Sequence, residues 1–226
     1  MNQVKIRQWP ELIPYGEALA AMQKITEERT GVTPDEIWCL EHLPVYTQGM
    51  AGKDSHVLAP GEIEVIKADR GGQVTYHGPG QLIVYLLLNL KRKGIYTRQF
   101  VSILEQSVID MLAEYSITAM RREKAPGVYV HSRKIAAIGV RIRKGCCYHG
   151  LALNVDMDLL PYTGINPCGY PGLEVTQLKD EGVSMTVAEA GNKLLPLLLG
   201  NLDMDEYQCE IITEDRLPGI SSVVEA

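Results

Sequence analysis

The sequence predicts a single α+β domain, in which a few helices pack on a mixed, largely antiparallel sheet. Three observations support this fold class: helical stretches with apolar residues at three- and four-residue intervals, one continuously apolar strand, and a series of short strands joined by turns. With 226 residues, 46% of them hydrophobic and 22% charged, the chain can bury a core without a disulfide or a metal. No repeat or linker divides it, so we expect one domain over residues 1–226.

The first half of the chain predicts one helix and three strands. The helix covers residues 16–29, because Ala18, Met22 and Ile25 fall on one face and Gly31 follows as a stop signal. Strands are expected over residues 36–40, 65–68 and 81–90. The last of these is apolar throughout, which indicates a central strand covered on both faces.

The second half predicts a long helix, three paired strands and a final helix. Residues 97–115 carry apolar side chains at helical spacing. Residues 127–130, 134–143 and 146–155 are predicted as an antiparallel meander, with turns at 131–133 and 144–145. Residues 156–183 are rich in Pro, Gly and Asn, which is typical of a functional loop. A helix over residues 186–199 begins with a capping box of Thr186 and Glu189, and Pro196 is expected to weaken its end.

Charge is unevenly distributed along the chain. The net charge is -6, from 22 basic and 28 acidic residues, and residues 201–226 alone carry seven acids and one base. Residues 91–144, which we call the basic block, hold twelve bases against four acids. Such a block either faces an acidic partner or forms a solvated surface. The acidic tail, residues 203–226, has no predicted role.

Several classes of protein are excluded. The longest apolar run is far shorter than the roughly 20 residues of a membrane span, and the first residues lack the apolar segment of a signal peptide. Five cysteines, an odd number, leave at least one thiol free, and a reducing compartment keeps all of them free. We therefore expect a cytoplasmic monomer that binds neither membranes nor nucleic acid.

The most unusual segment is residues 70–81, RGGQVTYHGPGQ, in which four of twelve positions are glycine. Glycine lets a backbone approach a ligand closely and take a positive φ. These glycines lead into a strand, whereas a dinucleotide-binding fingerprint needs glycines that lead into a helix. The segment is therefore a candidate ligand-binding loop outside the Rossmann class.

Two side chains are candidates for catalysis. Lys134 opens a small, apolar strand, where loss of hydration is expected to lower its pKa toward the range of a general base. Alternatively, its ammonium group simply reaches solvent at the strand end. Cys168 lies between Pro167 and Gly169 in the loop, where a substrate can reach its thiol, whereas Cys39 in an apolar strand is expected to be inert.

The histidines and the paired cysteines indicate fewer roles. His77 and His149 each precede a glycine and are expected to line a pocket. Cys146 and Cys147 lie close to His149, but alternation along a strand places the two thiols on opposite faces, so we predict no zinc site. The remaining histidines are assigned to a turn (His42) or to the surface (His56, His131).

Five segments together resemble one protein family. They are residues 40–47 (LEHLPVYT), 70–81, 134–140 (KIAAIGV), 148–155 (YHGLALNV) and 165–169 (INPCG). In this order they are similar to the lipoate-protein ligase B family, the octanoyl-carrier-protein to protein octanoyltransferases, over about residues 36–178. The resemblance implies the catalytic fold that this family shares with the biotin ligases and the ATP-dependent lipoate ligases.

That resemblance implies a two-step transfer of an octanoyl group from acyl carrier protein to a lysine of a lipoyl domain. The acceptors would be E2 subunits of 2-oxoacid dehydrogenases and the H protein of glycine cleavage. The resemblance also implies a thioester on Cys168 with Lys134 as its partner, and no ATP or metal. The family's acyl-pocket segments fall on Arg70, Gly71, Gly72, Gln73, Val74, Thr75, Tyr76, His77, Ala137, Ile138, Gly139, His149, Gly150, Leu151 and Ala152.

The basic block gains an expected role from this resemblance, because acyl carrier proteins and lipoyl domains are commonly acidic. The arginines expected to meet them are Arg121, Arg122, Arg141 and Arg143.

Three other functions fit parts of the pattern. An ATP-dependent lipoate ligase makes an acyl-adenylate, needs no nucleophilic cysteine and would tolerate Cys168→Ser. A thioesterase would release free octanoate even when an acceptor is present. A binding module would capture the acyl group or its carrier without turnover.

Overall fold

The computed structural model describes residues 3–204, 208–213 and 217–218. Its helices are α1 (Tyr15–Glu28), α2 (Leu90–Lys93), α3 (Thr97–Glu114) and α4 (Val187–Asn201). Its strands are β1 (Gln3–Ile13), β2 (Asp35–His42), β3 (Val45–Gln48), β4 (Val65–Lys67), β5 (Val74–His77), β6 (Gln81–Leu87), β7 (Met120–Arg121), β8 (Gly127–Val130), β9 (Arg133–Arg143), β10 (Cys146–Asn154) and β11 (Gln208–Thr213). Within these residues, no helix is long and apolar enough to cross a bilayer.

The strands form two sheets. The larger has the order β11-β1-β2-β6-β10-β9-β8-β7, and the smaller has the order β4-β3-β5. In the larger sheet β1 runs parallel to both of its neighbours, and the remaining pairs are antiparallel. The predicted α+β domain with a mixed, largely antiparallel sheet is therefore confirmed.

The central strand β6 explains how the helices cover the sheet. Its alternate side chains enter two different apolar clusters, as expected for a strand buried on both faces. Leu82, Val84 and Leu86 pack in the cluster that contains α3 and α4. Ile83, Tyr85 and Leu87 pack in the cluster that contains α1. The predicted strand over residues 81–90 is thus central, although it ends at Leu87 and residue 90 begins α2.

The hairpins of the predicted meander are also present. His131 and Ser132 both have positive φ between β8 and β9, and Lys144 and Gly145 have positive φ between β9 and β10. Two-residue turns of this kind match the right-handed twist of paired strands. They place β8, β9 and β10 side by side, and β9 and β10 supply residues to the cavity wall described below.

Helix α4 begins as predicted and ends differently. The Thr186 hydroxyl accepts from the Glu189 N–H while the Glu189 side chain accepts from the Thr186 N–H, which completes the capping box. The helix then continues through Pro196 to residue 201, where we expected it to weaken. Leu194 and Leu198 are fully buried on either side of the proline, and this packing outweighs the lost backbone hydrogen bond.

Three features of the fold were absent from the prediction. β1 is the longest of them and adds a parallel strand between β2 and β11. The small sheet contains the predicted strand at 65–68 but also β3 and β5, so that residues 74–77 in the middle of the glycine-rich segment are themselves a strand. β11 lies in the acidic tail and pairs with β1. The acidic residues outside the described part of that tail are Asp205, Glu206, Glu214, Asp215 and Glu225.

Candidate active site

Cys168 and Lys134 meet at the start of β9. Cys168 is half-buried in a tight turn over Pro167–Gly169 and has φ +56°, a left-handed conformation that is rare for a residue with a side chain. The Lys134 Nζ lies 2.9 Å from the Cys168 Sγ and also donates to the Pro126 carbonyl at 2.9 Å. Strained backbone of this kind is concentrated at functional sites, where it holds a reactive group in place.

The environment of Lys134 keeps its amine protonated. Lys134 is 4% exposed, and its Nζ lies 5.0 Å from the centre of the Tyr129 ring. Burial disfavours the charge, but the neighbouring Cys168 sulfur and Tyr129 hydroxyl outweigh it and raise the pKa of Lys134 above its usual value. The predicted lowering of this pKa is therefore wrong, because the effect of burial was considered without the sulfur beside the amine.

Backbone hydrogen bonds tie the Cys168 loop to the strand that carries Lys134. The Lys134 N–H donates to the Glu174 carbonyl at 2.9 Å, and the Thr176 N–H donates to the Lys134 carbonyl at 2.9 Å. Ahead of the cysteine, the Asn166 N–H donates to the His56 carbonyl at 2.8 Å. Hydrogen bonds before and after Cys168 thus fix the position of its thiol relative to the Lys134 amine.

A second layer of contacts positions the carbonyl that receives Lys134. The buried Glu105 carboxylate on α3 accepts from the Gly127 N–H at 2.9 Å and pairs with Arg121 at 3.1 Å. Gly127 has φ +136°, and a Cβ there would lie 2.5 Å from the Ala136 carbonyl oxygen and 3.0 Å from the Lys134 Nζ. Glu105 therefore holds in place the peptide group between Pro126 and Gly127. Only glycine at position 127 leaves room for the Lys134 side chain to pass over this peptide group.

A cavity of about 640 Å³ opens beside Cys168. Apolar side chains such as Ile83, Val101 and Leu151 line much of it. All of the predicted pocket residues lie in its wall except Tyr76. Tyr76 packs instead between Tyr46 and Tyr162, because alternation along β5 turns it away from the face that Thr75 and His77 share. The predicted residues that lie in this wall are Arg70, Gly71, Gly72, Gln73, Val74, Thr75, His77, Ala137, Ile138, Gly139, His149, Gly150, Leu151 and Ala152.

Arg70 holds the glycine-rich loop in shape. Its guanidinium donates to the carbonyls of Thr47 at 2.6 Å, Gln73 at 2.8 Å and Gly71 at 2.9 Å. The Gly71 N–H in turn donates to the Val140 carbonyl on β9 at 3.0 Å. The loop thereby lies directly on β9, the strand that carries Lys134, and it forms part of the cavity wall.

Most of the length of this chain matches known proteins. The model for the lipoyl protein ligase A/B catalytic domain matches residues 14–198.

The chain belongs to this family.

An octanoyltransferase from Dechloromonas aromatica (strain RCB) is 59% identical over 191 residues, which is 84% of this chain and 93% of that protein. A bi-partite lipoate protein ligase from Thermoplasma acidophilum has a TM-score of 0.68 at 18% identity, over 94% of this chain and 89% of that chain. The biotin protein ligase from Aquifex aeolicus has a TM-score of 0.51 at 16% identity, over 92% and 73% of the two chains. The predicted resemblance and the predicted ligase fold are both confirmed.

In this lipoyl protein ligase A/B domain, His77 in the cavity wall and His42 beside it are buried, neutral histidines. His42 Nδ1 lies 2.7 Å from the Ile13 carbonyl oxygen, and His42 Nε2 lies 2.6 Å from the Tyr85 hydroxyl. Burial lowers the pKa of His42 to about 4 and that of His77 well below its usual value. His42 therefore joins β1 to β6 in the core, whereas the sequence indicated a turn.

Asp69 is a neighbour of the cavity that the sequence analysis missed. Its carboxylate lies 3.0 Å from the His149 Nε2, accepts from the Tyr148 hydroxyl and accepts from Gln23 at 3.1 Å. Partial burial opposes ionisation, but these contacts outweigh it and hold the pKa of Asp69 well below its usual range. Burial lowers the pKa of His149, so this dyad is a carboxylate beside a neutral imidazole. No local pattern relates residues 69 and 149.

The structure differs from two further predictions, which concern His56 and the arginines of the basic block. His56 is half-buried in the cavity wall, with its Nδ1 3.3 Å from the Asn166 side chain, whereas we expected it on the surface. The four arginines that we expected to meet the acyl carrier protein already have contacts within the chain. Arg121 pairs with Glu105 at 3.1 Å, Arg143 pairs with Glu27 at 2.5 Å, Arg122 lies 5.1 Å from the Tyr129 ring centre, and Arg141 contacts the Met50 sulfur at 2.9 Å.

Proposed function

We propose that this chain transfers an octanoyl group from octanoyl-acyl carrier protein to a lysine of a lipoyl domain, through a thioester on Cys168. The observation that carries this proposal is the 2.9 Å contact between the Lys134 Nζ and the Cys168 Sγ beside a largely apolar cavity. The octanoyltransferase named among the relatives supports the choice of acyl group. The proposal includes no ATP and no metal.

In the first step the Lys134 ammonium stabilises the Cys168 thiolate, which attacks the carbonyl carbon of the carrier's thioester. A bond forms between that carbon and Sγ, and the bond to the carrier's sulfur breaks. The departing thiolate takes a proton from Lys134, which becomes a neutral amine. One thioester replaces another, so the acyl group stays activated and no ATP is consumed.

In the second step the amine of the acceptor lysine attacks the acyl-Cys168 carbonyl. The neutral Lys134 amine takes a proton from the attacking nitrogen, and Cys168 leaves as a thiolate beside the restored ammonium. The raised pKa of Lys134 suits this cycle, because the resting enzyme begins with the charge that the thiolate needs. The N–H groups of Gly72 and Gln73 in the glycine-rich loop are the proposed donors to the oxyanion in both steps, because the Gly71 N–H is already bound to Val140.

The cavity provides a basis for chain-length selection. Each buried methylene contributes about 0.8 kcal/mol, or about fourfold in affinity. An octanoyl chain buried against Ile83, Val101 and Leu151 would therefore gain about 5 kcal/mol. We propose the substrate-binding role for the predicted pocket residues that lie in this wall, and for Tyr76 a role in supporting β5 from behind.

The partners and the location complete the proposal. The acceptors are lipoyl domains of 2-oxoacid dehydrogenase E2 subunits and the H protein of glycine cleavage, which carry the target lysine on their surface. We propose a monomer in the cytoplasm, since the described cysteines Cys39, Cys146, Cys147 and Cys168 are all free thiols.

Intact-mass measurement tests the proposed reaction directly. The protein is incubated with octanoyl-acyl carrier protein without ATP, and a lipoyl domain is then added. We expect a hydroxylamine-sensitive octanoyl adduct that moves to the acceptor in the wild type and in the control Cys146→Ser, whose buried thiol lies outside the cavity wall. Cys168→Ser is expected to form no thioester, and Lys134→Met is expected to form it slowly.

The same experiment separates the alternatives. Transfer by Cys168→Ser that requires ATP would identify an acyl-adenylate ligase. Free octanoate in the presence of the acceptor would identify a thioesterase. Stoichiometric capture without transfer would identify a binding module.

A further inference from the structure

The cavity beside Cys168 has a positive mouth. Among the described residues in its wall there are three permanently basic side chains, Lys53, Arg70 and Lys124, and no aspartate or glutamate. Arg70 is buried, and its guanidinium already donates hydrogen bonds to the backbone carbonyls of Thr47 and Gln73. Lys53 and Lys124 are exposed, and no described carboxylate pairs with either of them. The octanoyl chain and its thioester are neutral, so they do not account for these two charges.

Lys53 and Lys124 belong to loops that contact the cysteine turn from opposite sides. The Lys53 N–H donates to the Gln73 side-chain oxygen at 3.2 Å, and the Gln73 side chain packs so closely on Gly169 that a Cβ there would lie 3.1 Å from it. On the other side, the Tyr170 hydroxyl donates to the Lys124 carbonyl at 3.4 Å. The residues that follow Cys168 are therefore flanked by the two lysine-bearing loops.

Lys53 and Lys124 differ in this respect from the four arginines first expected to meet the carrier. The four arginines first expected to meet the carrier contact a carboxylate, an aromatic ring or a methionine sulfur within the chain. An exposed ammonium without an internal partner keeps its attraction for an incoming anion. The carrier presents its acyl group on a phosphopantetheine arm, whose pantetheine part is neutral and whose phosphodiester is the one anionic group of the arm.

We propose that Lys53 and Lys124 bind the phosphodiester of the donor's phosphopantetheine arm and so guide the thioester to Cys168. This inference rests on the proposed acyl-carrier donor and adds two binding residues to it. The two ammonium groups act as point charges on the phosphate oxygens, as lysines commonly do at phosphate sites. The acyl chain lies in the apolar part of the cavity and the phosphate at its mouth.

Donors with and without the phosphate test this inference. Octanoyl-phosphopantetheine and octanoyl-pantetheine are compared as donors for the wild type, Lys53→Gln, Lys124→Gln and the double variant. We expect the ratio of kcat/KM for the phosphorylated donor to that for the neutral donor to fall about threefold for each single variant and about tenfold for the double variant. Lys193→Gln, an exposed lysine on α4 outside the cavity wall, is the matched control and should leave this ratio unchanged.

A binding measurement keeps the inference independent of turnover. The Kd values of phosphopantetheine and pantetheine, both without an acyl group, are measured by calorimetry for the same variants. We expect the phosphorylated arm to bind more tightly and the double variant to lose that preference. If the double variant still bound phosphopantetheine more tightly than pantetheine, the inference would be overturned. It would also be overturned if the substitutions weakened only the intact carrier protein, because the lysines would then contact the carrier's protein surface. If the wild type transferred octanoyl from no donor yet preferred the phosphorylated arm, the proposed function would fail while the phosphate site stood.

Discussion

Replacing Glu105 by leucine should damage the active site from a distance. Glu105 touches neither the thiol nor the amine, but its carboxylate holds the Gly127 N–H at 2.9 Å, and the adjacent Pro126 carbonyl accepts from the Lys134 Nζ. Glu105→Leu leaves a buried N–H without an acceptor, which costs about 1–3 kcal/mol. The lost pair with Arg121, whose side chain is 39% exposed, adds at most about 1 kcal/mol.

The expected total is therefore a loss of about 1–4 kcal/mol in the free energy of unfolding. Transfer should slow by about tenfold or more, because Lys134 loses the carbonyl that fixes its distance from Cys168, and small misplacements at a site are costly. Urea unfolding measures the first quantity, and single-turnover acylation of Cys168 measures the second. Glu105→Gln is the matched control, since its amide oxygen can still accept from Gly127.

The glutamine variant separates positioning from simple stabilisation. Glu105→Gln should lose about 1 kcal/mol or less in the free energy of unfolding, and its Cys168 should be acylated at close to the wild-type rate. The reasoning would be refuted if Glu105→Leu acylated as fast as the wild type while remaining destabilised, or if Glu105→Gln were as slow as the leucine variant.

Three further predictions concern stability and the pocket. Because the pKa of His42 is about 4 in the folded protein and about 6.5 when unfolded, its contribution to stability is complete above pH 6.5, and about 3 kcal/mol of it is lost as the pH falls to 4. His42→Asn should flatten that part of the pH dependence in urea unfolding, and an identical slope in both proteins would contradict the neutral assignment. A Cβ at Gly139 would lie 3.0 Å from the Gly71 carbonyl oxygen, so Gly139→Val should displace the glycine-rich loop and lower kcat/KM for octanoyl and butyryl donors alike; an unchanged kcat/KM would argue against this close contact. Thr186→Ala removes the capping box with Glu189 and should cost about 1 kcal/mol in unfolding free energy, with a loss below a few tenths counting against the cap.

Local periodicity predicted the elements that lie in the middle of the sheet and on its faces. The helix over residues 97–115 and the meander over residues 127–155 were correct within a residue or two, because their apolar side chains repeat with the period of the element. β1 was missed because the alternation of Val4, Lys5, Ile6 and Arg7 is short and is followed by Pro10, and because its partners lie far along the chain. Its stability comes from pairing on both sides, which no local pattern reveals.

The candidate site was predictable only where several motifs agreed. Cys168 and Lys134 are ordinary residues when taken singly, and the resemblance of five segments brought them together. The sign of the Lys134 pKa shift depends on a sulfur 34 residues away, and the Asp69–His149 contact spans 80 residues. The role of Glu105 likewise depends on which backbone N–H its carboxylate meets. These properties arise from tertiary distances and had to await the structure.

The hydrogen bonds between Lys134 and residues 174–176 have a consequence for the lifetime of the acylated enzyme. Because the backbone of Lys134 pairs with the same loop whose thiol its side chain contacts, any opening of that loop removes nucleophile and proton donor together. A partly opened intermediate would therefore carry an acyl-cysteine without the amine that activates an attacking water. On the proposed mechanism, water that reaches the thioester in such an opened form meets no base, so opening of the loop does not by itself promote hydrolysis.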